Sequence, residues 1–151
     1  MSRPFKETYA EVTTASPMKR LGAFVYDFML VVALWMVTGF IAVSLNDGEA
    51  VTGPAFQSFL FILTYAFLAF FWMRSGQTLG MLAWRLRVQT VEGYRLNFMQ
   101  SLIRFIVGTV SLLCFGAGFL WMFISKQKQA WHDLASSTHV VELPKNAKIL
   151  E

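Results

Sequence analysis

The stretch KRLGAFVYDFMLVVALWMV sets Arg20 and, seven positions later, Asp27 at the head of an otherwise apolar run. On an α-helix that spacing is about 10.5 Å of rise and about 700° of rotation, so both side chains project from nearly one face. A carboxylate inside a membrane span costs roughly 2.5–3.5 kcal/mol on insertion scales and is usually turned into a bundle or a wet cavity. Two chemistries are open to it. Asp27 accepts hydrogen bonds from a donor on another element (Tyr65, Arg104 or a down-reaching Arg20) and fixes helix packing. Alternatively, a carboxylate desolvated without such a partner serves as a proton acceptor.

A second polar group lies in WHDLASSTH, with His132 and Asp133 adjacent. Neighbouring side chains on a helix diverge, so this dipeptide is not a catalytic pair. Asp133 is expected to pair with Arg20 or Arg104 across the bundle. The loop GQTLG supplies Gly76, Thr78 and Gly80. It lacks the spacing and the Lys-Ser/Thr ending of a phosphate-binding loop and reads as a glycine-shaped turn at the membrane surface. Ser101, Thr109 and Ser111 are placed to join helices by modest hydrogen bonds. No nucleophile, base and orienting group can be assembled, so neither an enzyme nor a cofactor is expected. With one cysteine and two histidines, disulfide and metal-ligand spacings are absent too.

The elements that must hold these residues follow from composition. The 151 residues are 56% hydrophobic, 16% aromatic and only 15% charged, against roughly 25% charged in soluble domains, which points to an integral membrane protein. The thirteen Lys and Arg fall mostly between apolar runs, where they act as a topology signal rather than a nucleic-acid surface. The first twenty residues are polar and contain no apolar core of a cleavable leader.

Residues 21–45 carry Asp27 as their only charge, and residues 55–73 carry none; each is long enough to span a ~30 Å hydrocarbon core. The loop between them, NDGEAVTGP, has no Lys or Arg, whereas basic residues flank the two spans on the other side. The charge rule therefore places the N-terminus and residues 74–97 in the cytoplasm. Within that segment, RLRVQTVEGYRLNF alternates around Glu92-Gly93 and predicts a small β-hairpin, with THVVEL as a possible third strand.

Residues 98–125 form a third apolar stretch. A single crossing would strand Lys126, Lys128, Lys145 and Lys148 outside, against the charge rule. A break at FGAG, residues 115–118, instead gives a re-entrant or short helical hairpin, which is tolerated where its backbone is packed on protein. The expected fold is all-α, with two transmembrane helices, this hairpin and a small cytoplasmic β-hairpin.

RLGAFVYD, SGQTLGMLAWRLRV with VEGYRLNF, LIRF, and FGAGFLWMFISKQKQAWHDLASSTHVV together resemble the RDD family of small bacterial membrane proteins, named for one arginine and two aspartates. The resemblance maps those three onto Arg20, Asp27 and Asp133. It implies a membrane domain over residues 18–142 between a polar tail at 1–17 and a C-terminal tail at 143–151. It also implies a multi-pass protein of the bacterial cytoplasmic (inner) membrane with a suggested role in transporting undefined ligands. Two positions depart from the family pattern: Met81 stands where a basic residue is usual, and Ser137 replaces a glycine.

Two functions are compatible with these residues. In the first, Asp27 binds a proton or small cation in a transporter whose cytoplasmic gate is formed by Arg20 and Asp133; two spans and a hairpin cannot enclose a pathway, so a homo-oligomer is required. In the second, the charged set locks a compact bundle that serves a larger membrane-protein partner as an accessory or assembly factor. Besides such partners, only the lipid bilayer is expected as a contact, and no nucleic acid.

Overall fold

The computed structural model describes residues 3–5 and 12–147. Its elements are β1 (Thr13–Thr14), α1 (Pro17–Leu45), α2 (Pro54–Arg74), α3 (Leu79–Ala83), β2 (Leu86–Thr90), α4 (Phe98–Leu113), α5 (Ala117–Ile124), α6 (Trp131–Ser136) and β3 (Thr138–Glu142). Among the described residues, α1 and α2 are the two single helices long and apolar enough to cross a membrane.

Both long helices start with proline at the first helical position, where the missing N–H is no loss and the ring presets the helical φ. α1 begins four residues before the apolar run, at Pro17. Helix therefore already surrounds Arg20, which is 9% exposed.

The third apolar stretch breaks where glycine allows it. Phe115 and Gly116 take φ of 59° and 74°, and two successive left-handed residues cannot continue a right-handed helix. α4 and α5 are consequently bent by 96°. α5 turns across the end of α4 instead of running straight back along it.

The three strands form an antiparallel sheet in the order β1-β3-β2, with Arg87 opposite Val141 and Thr90 opposite Thr138. Its strands come from before α1, between α2 and α4, and after α6. Because β2 and β3 are hydrogen-bonded neighbours, the α4–α5 excursion begins and ends at the same sheet.

The hairpin expected across Glu92-Gly93 is only half formed. The turn closes, with Thr90 N donating to the Tyr94 carbonyl and Gly93 N to the Thr90 carbonyl, both at 2.9 Å. No strand follows it, and β2 pairs with β3 instead. The reason is local. Asn97 and Gln100 form a reciprocal capping box at the start of α4, which commits the chain to a helix within a few residues of the turn. The Arg95 N–H goes to the Arg3 carbonyl at 2.9 Å.

The segments expected as tails contribute to this layer. Thr13–Thr14 form β1, Phe5 lies buried beneath the guanidinium of Arg87, and Leu143 N donates to the Arg85 carbonyl. Leu86, Val88, Val140 and Ala15 pack under Trp72 and Phe105, so the core sits where the sheet meets the helices.

Candidate functional site

Asp133 is fully buried and is the hub of the site. Its Oδ2 accepts from Arg20 Nη2 at 2.6 Å and from the Ala130 N–H at 3.0 Å. Its Oδ1 accepts from Arg104 Nη1. The last contact of each arginine is elsewhere: Arg20 Nη1 donates to the Lys128 carbonyl at 3.0 Å, and Arg104 Nη1 to Thr138 Oγ1 at 3.1 Å. The cluster thus joins the start of α1, the middle of α4, the start of α6 and β3.

Burial alone would raise the Asp133 carboxyl, but Arg104, then Arg20, with the Ala130 N–H, hold it well below the usual carboxylate range. His132 Nε2 stands 3.6 Å from Asp133 Oδ1, beyond hydrogen-bond length. Burial, then the positive charge of Arg104, pushes His132 down to about 3. It is a neutral ring packed on Phe119, with centroids 4.8 Å apart.

Asp27 belongs to a different contact. Its partners are none of Tyr65, Arg104 and Arg20: Thr78 Oγ1 donates to Oδ2, and Gly80 N donates to Oδ1 at 2.9 Å. Tyr65 instead meets Ser101 Oγ at 3.1 Å. The GQTLG loop therefore exists to dock α3 on α1. Gly76 takes φ 70° where α2 ends and lies so close to the Val88 carbonyl that a Cβ would overlap it. Gln77 Nε2 donates to the Leu86 carbonyl at 2.8 Å, covering the outer edge of β2. Thr78 caps α3 by accepting from Met81 N at 3.2 Å. On the other side, Gly22 leaves room on α1 for the ring of Trp84.

The structure thus brings Arg20, Arg104, His132 and Asp133 into one cluster, and Asp27, Thr78 and Gly80 into another. Residue types alone did not reveal the parts played by Thr138, the Lys128 carbonyl or Trp72, whose ring lies 5.4 Å from the Arg104 guanidinium. Among the described residues, no three His, Cys, Asp or Glu side chains come together as metal ligands.

Two helices long and apolar enough to span a membrane, a bent helix pair and a sheet beside a buried Arg-Asp-Arg cluster define a small multi-pass membrane protein. The RDD family model matches residues 14–137, and the chain belongs to the RDD family. No curated protein and no solved structure matches it.

Proposed function

We propose that this is a proton-linked transport protein of the bacterial cytoplasmic membrane, moving a small ion or solute, with its N-terminus in the cytoplasm. One observation carries the proposal. Asp27, inside α1, accepts two hydrogen bonds, from Thr78 and Gly80, and both are made to the carboxylate. Protonation would turn the charged acceptor into a neutral carboxyl, weaken both hydrogen bonds and loosen α3 from α1. Proton binding is thereby coupled to a movable element at the end of the bundle. A single chain has two spans and does not surround a path, so the working unit is a homo-oligomer. The Arg20–Asp133–Arg104 cluster positions the helix ends and performs no catalysis; the protein is not an enzyme.

The test is cation-dependent dissipation of a pH gradient in vesicles carrying the purified protein, with Asp27→Asn compared at verified folding. Loss of activity in a folded variant supports the coupling. Equal activity of the two proteins, or silence of the wild type, rejects it.

A second reading, an accessory protein for a larger membrane complex, is favoured by the uncovered apolar face of α1, where Met29 is 63% and Phe40 70% exposed. A stoichiometric companion co-purifying from native membranes would favour it over transport.

A further inference from the structure

The apolar run of α2 stops at Met73, with Arg74 as its first charge, and α4 starts at Phe98. The two ends meet at a pocket of about 520 Å³, lined by Met73, Phe98 and Met99 together with Arg3 and Arg95. The end of a span marks the boundary between hydrocarbon and water. Phe98 and Met99 are 59% and 58% exposed, and Tyr94 beside them is exposed too, as suits side chains at headgroup depth. The pocket therefore opens where lipid phosphates lie.

Two cations are held at this pocket. The Arg95 N–H donates to the Arg3 carbonyl at 2.9 Å, which fastens the two segments to each other, and the Arg95 guanidinium lies 5.6 Å from the Phe5 ring. Among the described residues neither arginine has a carboxylate partner: the ion pairs belong to Lys19, Arg20, Arg104 and His132. No carboxylate lines the pocket either. Arg20 and Arg104 are buried and neutralised by Asp133. By contrast Arg3 is exposed and Arg95 only partly buried, so a ligand can reach both. Two like charges lining one pocket repel each other, and an anion between them offsets that repulsion. The first turn of α4, which has no acidic residue, adds to the same positive field.

The apolar lining says which kind of anion. A free phosphate would leave Phe98 and Met99 against water. A phospholipid brings its own hydrocarbon, and a track for it is present: Phe70, three residues before Met73 and so on the same face of α2, is exposed.

We propose that this pocket is an anionic-phospholipid site, in which the headgroup phosphate lies with Arg3 and Arg95 and an acyl chain runs along α2 past Met73 and Phe70. The site stands apart from proton-linked transport, since lipid retention is read without any gradient.

The full chain, purified in mild detergent, is exposed to dioleoyl phosphatidylglycerol, to dioleoyl phosphatidylcholine and to millimolar inorganic phosphate, and retained lipid is counted by native mass measurement. One phosphatidylglycerol per chain is expected, held about tenfold more tightly than phosphatidylcholine, whose choline cancels the phosphate charge. Arg3→Gln, at an exposed position that keeps its backbone carbonyl, and Arg95→Gln should each lower that retention about tenfold. Lys126→Gln removes the same charge from an exposed position outside the pocket and should leave retention unchanged. Equal retention of the two lipids, displacement of phosphatidylglycerol by millimolar phosphate, or an equal effect of Arg3→Gln and Lys126→Gln in folded protein would overturn the proposal.

Discussion

Gly80 rests against Asp27 with no room for a side chain: a Cβ on Gly80 would overlap the Ala23 carbonyl oxygen and lie 2.9 Å from the Asp27 carboxylate. The close approach lets a backbone N–H reach a carboxylate on a neighbouring helix. α3 has only five residues, so its position depends on this contact and on the one between Trp84 and Gly22.

Gly80→Ala is therefore expected to push α3 off α1 and to cost about 1–3 kcal/mol, the usual penalty for overfilling a tight contact. Gly39→Ala is the control, since a Cβ at Gly39 meets nothing within 4 Å; it should leave stability unchanged or raise it slightly. Thermal unfolding in mild detergent compares the two.

Asp133→Asn leaves Arg20 and Arg104 buried without their counter-charge. A loss of about 3–5 kcal/mol is expected, as for other broken buried pairs. Replacing the whole cluster, Arg20→Met with Arg104→Met and Asp133→Leu, should cost less than the single change, because no charge is then left unpaired. If the triple variant proved the less stable of the two in the same melts, the cluster would be contributing more than mutual neutralisation.

Acid should weaken the fold through His132. His132 is pushed down to about 3 from an ordinary 6.5, so between those values the unfolded chain holds a proton that the folded one does not. The resulting stability is complete above about 6.5 and is lost as the pH falls toward 3, by up to about 1.4 kcal/mol per unit. From pH 7 to pH 5 the expected loss is about 2 kcal/mol. Asp133, whose folded carboxyl is depressed, gives stability that is present above the ordinary carboxylate range and lost only below it. It does not act between pH 7 and pH 5. His132→Phe should flatten the slope in melts taken across that range.

Ser137 closes α6 with φ 53° and ψ 44°, left-handed angles that glycine adopts more easily than serine. Ser137→Gly should stabilise the protein by about 0.5–1 kcal/mol. A raised melting temperature would show that the chain tolerates a strained backbone at this position.

The sheet predicts labelling as well. In a Cys114→Ser background, Glu92→Cys and Lys145→Cys flank strands of one sheet and should react with an impermeant thiol reagent from the same side. Asp47→Cys, in the loop joining α1 to α2, should react from the opposite side. Reaction of Glu92→Cys and Lys145→Cys from different sides would be incompatible with the β2–β3 pairing.

What could be read from residue types was whatever is encoded locally. The two spans are continuous apolar runs, and the break at Phe115–Gly116 is announced by glycine; both appear within a residue or a few of their expected limits. The Asp133 partners follow from there being few buried charges to neutralise it. The partners of Asp27 were not legible. Thr78 and Gly80 lie 51 and 53 residues away, and nothing local marks a backbone N–H as the donor. The missing hairpin strand has the same cause: Glu92-Gly93 signals a turn, but the strand facing β2 is Thr138–Glu142, which only tertiary packing could choose over the nearer segment.

The wide sequence separation of the buried cluster also sets an order of events during synthesis. Arg20 emerges 113 residues and Arg104 29 residues before the aspartate that neutralises them. Until Asp133 leaves the ribosome neither guanidinium has its counter-charge. β2 likewise waits for β3. The clasp can close only after α1, α2, α4 and α5 have been made, so the segment from Trp131 to Glu142 completes it.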